Sequence, residues 1–267
     1  MAAIANFLLG YHANILHADQ HQDAEQRLFL IRLEWDLAGF TLPLSDFAEY
    51  FAPIADRYQM KWRVAETARR ARIAVFVSHK DHCLADLLYR QHSGGLGGQI
   101  VALVSNHHEA AIWGERYHIP FHYLPVEAGQ KEAAEARQLA VLAEAAVDLV
   151  VLARYMQILS PGFIAQFPGA IINIHHSFLP AFEGARPYHR AYDRGVKLIG
   201  ATAHYVTETL DDGPIIEQDV VRISHRDDLS DLLIKGADLE RMVLSRAVRW
   251  HLEHRILTYT HKTVVFD

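Results

Sequence analysis

The chain has 267 residues, a net charge of −6, 51% apolar residues and a single cysteine. That length allows one or two domains with a sizeable core. The acidic balance argues against a nucleic-acid-binding surface, and one cysteine excludes an internal disulfide framework. No apolar run is long enough to span a bilayer and no signal peptide precedes the first element, so the expected location is the cytoplasm. The 18 histidines include no HExxH motif and no Cys/His ligand spacing, so no metal is expected and scattered surface histidines account for the count.

The chain opens on a helical pattern over residues 2–9, with Ile4, Phe7, Leu8 and Tyr11 on one stripe. Residues 14–20 alternate weakly as a strand and residues 27–35 alternate strongly. An amphipathic helix follows over 44–58, with Ser45 placed to cap it, and then a short strand over 60–64. Helix, strand, strand, helix, strand is a βαββαβ unit without its first strand. The expectation is that the true start lies upstream or that the domain has lost an edge. An open edge of this kind invites a partner subunit, so a homo-oligomer is expected. The charged stretch 66–72 reads as an interdomain linker.

Beyond it, strands and helices alternate. Strands are expected at 73–78, 100–105, 121–125, 148–153 and 170–175, and helices at 83–91, 109–117, 131–146 and 160–167. Such alternation gives a mostly parallel sheet covered on both faces. A helix at 187–194 and a strand at 199–206 lead into the acidic turn 207–214. The strand at 215–223 is expected antiparallel to its predecessor, because the connection is short. Residues 230–257 read as a helix broken near Gly236, and residues 262–266 as a closing edge strand.

In open parallel sheets ligands sit beyond the carboxyl ends of the strands. The stretch 169–188, GAIINIHHSFLPAFEGARPY, puts Asn173 and His175 in that position, two apart and so on one face, with His176 on the other. A desolvated polar side chain needs a partner. One such residue is usually a satisfied core group. Two on one face, directly before a loop carrying Ser177, Glu183 and Arg186, point to a site. Asp211 lies in the acidic turn, with Asp212 beside it and Gly213 allowing the backbone to approach a ligand. The plain alternative is a solvated turn. If Asp211 reaches His175, the trio suits acyl chemistry without a covalent intermediate. The amide donates to an oxyanion, the imidazole donates or carries a proton, and the carboxylate orients the ring and polarises water. No GxSxG elbow is present; Ser177 reads as a loop-shaping residue and Cys83 as packed on a helix face.

Asn173-Ile174-His175, Ser177-Phe178-Leu179-Pro180 and the run 210–216, LDDGPII, resemble the formyltransferase catalytic domain that handles 10-formyltetrahydrofolate. The resemblance runs from about residue 72 to the C-terminus. It points to the hydrolytic, deformylase branch of that family. His176 stands where the transferases usually have Pro, and Phe182-Glu183-Gly184-Ala185-Arg186-Pro187-Tyr188-His189 continues in the deformylase manner. His82 to Leu88 replaces the Gly/Ser-rich phosphate loop of the glycinamide ribonucleotide transferases, and the N-terminal segment resembles an ACT domain.

The resemblance implies an α/β protein: an ACT-like α+β domain at 1–67 and a Rossmann-like formyltransferase domain at 72–267. It implies that Asn173 and His175 polarise the formyl oxygen and that Asp211 sets the protonation of His175 and activates water. Arg154, Tyr155, Met156, Gln157, Ile158 and Leu159 would line the folate pocket, with His176 and Ser177 at the substrate. The implied reaction is hydrolysis of a linear amide-type C–N bond with no metal or cofactor, the folate being the substrate. The ACT resemblance implies an amino-acid effector, and the family context implies formate supply for purine synthesis. Two alternatives stay open: formyl transfer to an amine, and an inert regulatory protein in which the ACT-like segment is the active part.

Overall fold

A computed structural model describes residues 1–180 and 187–266. The resemblance carried by Phe182, Glu183, Gly184, Ala185 and Arg186, and with it the site expectation for Glu183 and Arg186, lies outside the described residues. The chain divides into two compact units, Met1–Glu66 with Phe266, and Thr67–Val265.

The first unit has helix α1 (Ala2–Gly10), strands β1 (Asn14–Asp23) and β2 (Leu28–Asp36), and helix α2 (Phe47–Arg57). The two strands pair antiparallel. Leu8 from α1 and Phe47, Phe51 and Ala55 from α2 form the unit's buried core, a small antiparallel α+β arrangement of ACT-like kind. Two details differ from expectation. Helix α2 begins three residues late, because Ser45 spends its hydroxyl on Asp46 Oδ1 (2.7 Å) and no side chain caps the helix. Residues 60–64 form no strand. Met60 and Trp62 serve packing instead, with Trp62 against Phe51 (ring centroids 5.0 Å) and Phe47 (5.8 Å).

The second unit begins with β3 (Arg72–Val77), α3 (His82–His92), β4 (Gln99–Ser105), α4 (Ala111–Tyr117), β5 (Phe121–Tyr123) and α5 (Lys131–Glu144). It continues with β6 (Leu149–Leu152), α6 (Pro161–Ile164), β7 (Ile171–His175), α7 (Pro187–Arg194), β8 (Leu198–Tyr205) and β9 (Ile215–Arg222). It ends with α8 (Leu229–Leu252), β10 (Ile256–Tyr259) and β11 (Lys262–Val265). Seven strands form one sheet in the order β5-β4-β3-β6-β7-β8-β9. The first five are parallel; β8 runs antiparallel to both β7 and β9.

Alternation along β3 decides the two faces. Ile73, Val75 and Val77 join a core with α3 and α8, while Ala74 and Phe76 join a core with α5 and α6. Burying each large side chain is worth about 1.5–3 kcal/mol. Ser160 caps α6 by accepting from the Phe163 N–H (3.2 Å), with Pro161 at the first turn. Among the described residues no helix is long and apolar enough to cross a membrane.

The C-terminal region corrects the sequence reading. Helix α8 runs unbroken through Gly236 and stops at Leu252, its start fixed by a capping box between Asp228 and Asp231. The closing strand, expected at an edge, is one of the two strands of a hairpin with β10, separate from the main sheet. Gly236 does not break the helix; it makes room for Tyr188, whose ring a Cβ at this position would overlap. Gly236→Ala should therefore destabilise the protein by about 1–3 kcal/mol, as overpacking does, despite alanine's better helix propensity. Urea unfolding of the variant measures this. A gain of about 1 kcal/mol, the propensity effect alone, would contradict it.

Candidate active site

Strand order reverses at β3, which has β4 on one side and β6 on the other. Open α/β sheets bind ligands in the crevice at such a switch point. Here the carboxyl ends beside the switch point carry Ser78, just past β3, and the segment that leaves β6. The Ser78 N–H donates to the Arg154 carbonyl (3.3 Å), and the Met156 N–H donates to Ser78 Oγ (3.0 Å). Arg154 has φ +63°, an uncommon value for a residue with a Cβ. That turn starts the segment 155–159 at the carboxyl end of β6. Tyr155 and Leu159 point into the core, where Tyr155 Oη accepts from Gln138 Nε2 (2.9 Å). Met156 and Ile158 are exposed, at 59% and 61%. Gln157 is half-buried. Two exposed apolar side chains on a loop beside a crevice are suited to a flat apolar ligand.

Strand β7 lies next to β6 and ends in the same direction, so its last residues reach the same rim. Its antiparallel partner β8 sets His204 opposite Asn173 and Thr202 opposite His175. The His204 ring fixes its own tautomer. Nδ1 lies 2.9 Å from the Tyr205 carbonyl, which can only accept, so Nδ1 carries the proton. Burial pushes the imidazole below its ordinary range, against the pull of that carbonyl and of Asp211. In this neutral ring Nε2 is an acceptor, and Asn173 Nδ2 donates to it at 3.2 Å. The Asn173 amide is thereby oriented, with its second N–H left for a ligand.

His175 is paired from the other side. Its Nδ1 lies 3.3 Å from Asp211 Oδ1, while its buried Nε2 has no hydrogen-bond partner in the protein. Asp211 Oδ1 also lies 3.8 Å from His204 Nε2. Desolvation raises the Asp211 pKa, but the hydrogen bond from His175 leads the interactions that outweigh it and hold the carboxyl below its usual range. Asp211 has φ +55°, which Asp tolerates better than most residues. The role expected for Gly213 changes. A Cβ there would collide with the Tyr205 carbonyl, so this glycine lets the turn fold onto β8 rather than approach a ligand.

His176 and Ser177 are buried beside this group. The His176 ring sits 5.3 Å from that of His175 and 6.1 Å, edge-on, from that of Tyr188. Burial, then the nearby Arg154 guanidinium, push its pKa down to about 3, so the ring is neutral at working pH. The Ser177 carbonyl accepts from Thr202 Oγ1 (2.8 Å), while Ser177 Oγ is buried without a partner.

Two groups of ligand-capable side chains come together that sequence spacing did not show, because their members lie far apart in the chain: His79, His107 and Glu109, and His82, Cys83 and Glu240. Neither includes Asn173, His175 or Asp211. In the first, the His79 and His107 rings stack at 3.5 Å, which keeps their in-plane lone pairs side by side rather than convergent. In the second, Glu240 accepts from His82 and Tyr188 beside the Arg154 guanidinium, and burial pushes the Cys83 thiol up. It is a hydrogen-bonded ion pair rather than a cation site. The sequence reading missed His204 and Glu240. For His204 the signal needed the β7–β8 register. For Glu240 it was present, as a carboxylate on the apolar stripe Gly236, Val243, Ala247 of α8.

Residues 71–248 match the Formyl transferase family. The chain is 52% identical over 266 residues to a formyltetrahydrofolate deformylase of Synechocystis sp., covering 100% of this chain and 93% of the relative. A solved formyltetrahydrofolate deformylase from Pseudomonas syringae pv. tomato superimposes with a TM-score of 0.97 at 47% identity, covering 100% of this chain and 89% of that one. Glycinamide ribonucleotide transformylase 1 from Symbiobacterium toebii gives a TM-score of 0.72 at 28% identity, covering 77% of this chain and 99% of that one. The chain belongs to the formyltetrahydrofolate deformylases, within the formyl transferase family.

Proposed function

We propose that the protein hydrolyses 10-formyltetrahydrofolate to tetrahydrofolate and formate, with no cofactor, at the site built by Asn173, His175 and Asp211. One observation carries this reading. At the end of β7 the amide and the imidazole each hold one partner in the protein; the amide keeps its second N–H, and the imidazole keeps Nε2, for a substrate. The folate lies in the crevice beside residues 154–159, with Met156 and Ile158 against its apolar faces and His176 and Ser177 near the formyl group. Asn173 Nδ2–H and His175 Nε2–H donate to the formyl oxygen and more strongly to the oxyanion that follows. Asp211 accepts from His175 Nδ1–H, so the ring presents Nε2–H when fully protonated, and takes the proton of the attacking water. When the tetrahedral intermediate collapses, the C–N10 bond breaks and that proton passes to N10. Tetrahydrofolate and formic acid leave, and the acid ionises. The formate would feed purine synthesis, as the family resemblance implies.

Water as the acceptor is supported at the start of α3. A helix N-terminus after the first strand is a ready phosphate site. Here two carboxylates occupy its surroundings: Asp81, the N-cap residue, accepts from Trp113 Nε1–H (2.8 Å), and Glu240 accepts from His82 (2.8 Å). Leu84 is fully buried behind them. A ribose phosphate meets negative charge and filled space.

Purified protein should release formate from 10-formyltetrahydrofolate with no acceptor present, and added glycinamide ribonucleotide should neither speed turnover nor be formylated. Asn173→Ala should lower kcat on the order of 10²- to 10³-fold, the usual effect of losing one oxyanion donor, with folate binding little changed. Formylated acceptor with negligible formate in its absence would move the reaction to the transferases, and near-normal kcat in the variant would remove Asn173 from it.

The neutral state of His176 has a separate consequence. Its folded pKa lies below its unfolded value of about 6.5, so below that pH the unfolded chain binds a proton the folded one refuses. Stability is therefore lost as pH falls from about 6.5. Between pH 7 and pH 5 the wild type should lose about 2 kcal/mol more than His176→Asn, measured by urea unfolding. Equal losses in the two proteins would show that His176 is not held neutral.

A further inference from the structure

The buried carboxylate of Glu240 has no part in the reaction as written, yet it joins four elements. It stands on α8 with its side chain 2% exposed. Oε2 accepts from His82 Nε2 at the start of α3 (2.8 Å), and Oε1 accepts from the Tyr188 hydroxyl on α7 (2.8 Å). Arg154 Nε lies 3.5 Å from Oε2, an ion-pair separation without hydrogen-bond geometry, and Arg154 Nε and Nη1 are buried with no other partner.

Two of these partners lead to the reaction site by different routes. Arg154 begins the folate-side segment: its left-handed backbone turns the chain out of β6, and its carbonyl holds Ser78, whose hydroxyl holds the Met156 N–H. Tyr188 sets its ring edge against His176, which in turn lies against His175. Gly236, one turn before Glu240 on α8, is the place where the Tyr188 ring passes over the helix. The position is thus shaped for this contact from two points on one helix face. A buried carboxylate next to a buried guanidinium is a costly way to hold a fold together, and apolar side chains of similar volume often do as well. What apolar packing lacks is direction: the carboxylate fixes where the Tyr188 hydroxyl and the Arg154 guanidinium end.

We propose that Glu240 is a positioning residue that registers the folate-binding segment, through Arg154, against the reacting imidazole of His175, through Tyr188 and His176. This rests on the hydrolase reading above. Each arm has its own kinetic signature. Tyr188→Phe keeps the ring and removes only the anchor, so kcat should fall about tenfold with KM for the folate unchanged. Arg154→Met should chiefly raise KM. Glu240→Gln releases both arms and should do both, with a loss in kcat/KM on the order of 10²-fold, the scale of a misplacement of about 1 Å. Arg154→Met with Glu240→Met replaces the pair by apolar volume. It should unfold within a few degrees of the wild type and still show the kinetic loss.

Steady-state kinetics on these four full-length variants, with melting temperatures, test the proposal. Wild-type kcat and KM in Tyr188→Phe and Arg154→Met would overturn it. So would losses that track the folded fraction, because a merely structural role gives no split between the arms. A wild-type protein that releases no formate would instead remove the hydrolase reading on which the proposal stands.

Discussion

The candidate site depends on one constraint: polar side chains at the buried end of β7 must be paired. An unpaired buried hydrogen-bonding group costs about 1–3 kcal/mol in proteins, a large share of a domain's net stability. Asn173 meets the cost through His204, and His204 through the Tyr205 carbonyl. His175 meets it through Asp211. These pairings set chemical identity as well as stability. A proton on His204 Nδ1 makes Nε2 an acceptor, which forces Asn173 to present its amide nitrogen rather than its oxygen. The carboxylate on His175 Nδ1 leaves Nε2 as the ring nitrogen with no partner in the protein. The fold thus pairs one side of each group and prepares the other.

The backbone serves the same end. Asp211 and Arg154 both adopt left-handed φ values, +55° and +63°, which cost most residues about 1–2 kcal/mol. Each lies where the chain must turn sharply to deliver a side chain: Asp211 back onto β7 and β8, Arg154 into the buried pair with Glu240. Gly213 completes the first turn by yielding its Cβ to the Tyr205 carbonyl. Strain at these two positions is held in place by buried partners: His175 and His204 for Asp211, and Glu240 for Arg154.

Much of this was legible in the sequence. Apolar runs set between helical stretches located the parallel strands, and the two-residue spacing of Asn173 and His175 placed them on one face at a strand end. The acidic turn yielded Asp211, although its approach to His175 is a fact of tertiary structure. What escaped the sequence had physical reasons. His204 lies in a strand whose register against β7 no local pattern encodes. Residues 60–64 alternate like a strand, but Met60 and Trp62 pack on the unit's core and no described strand pairs with them. Gly236 has the look of a helix break because propensity weighs only the helix itself, and the Tyr188 ring that requires it comes from another element. Glu240 was readable as a charge on an apolar stripe, a mismatch between local pattern and global fold that marks sites of this kind.

The pairing chain at the end of β7 is tested most directly by 15N-resolved NMR of the histidine rings across pH. His204 should show a protonated Nδ1 and an unprotonated, hydrogen-bonded Nε2 at neutral pH. It should keep that tautomer to well below its ordinary titration range, because burial holds it neutral. Asn173→Ala should shift the Nε2 resonance while Nδ1 stays in place. A proton on Nε2, or an imidazolium at neutral pH, would mean that Asn173 is not oriented by His204 and that the site is built in some other way.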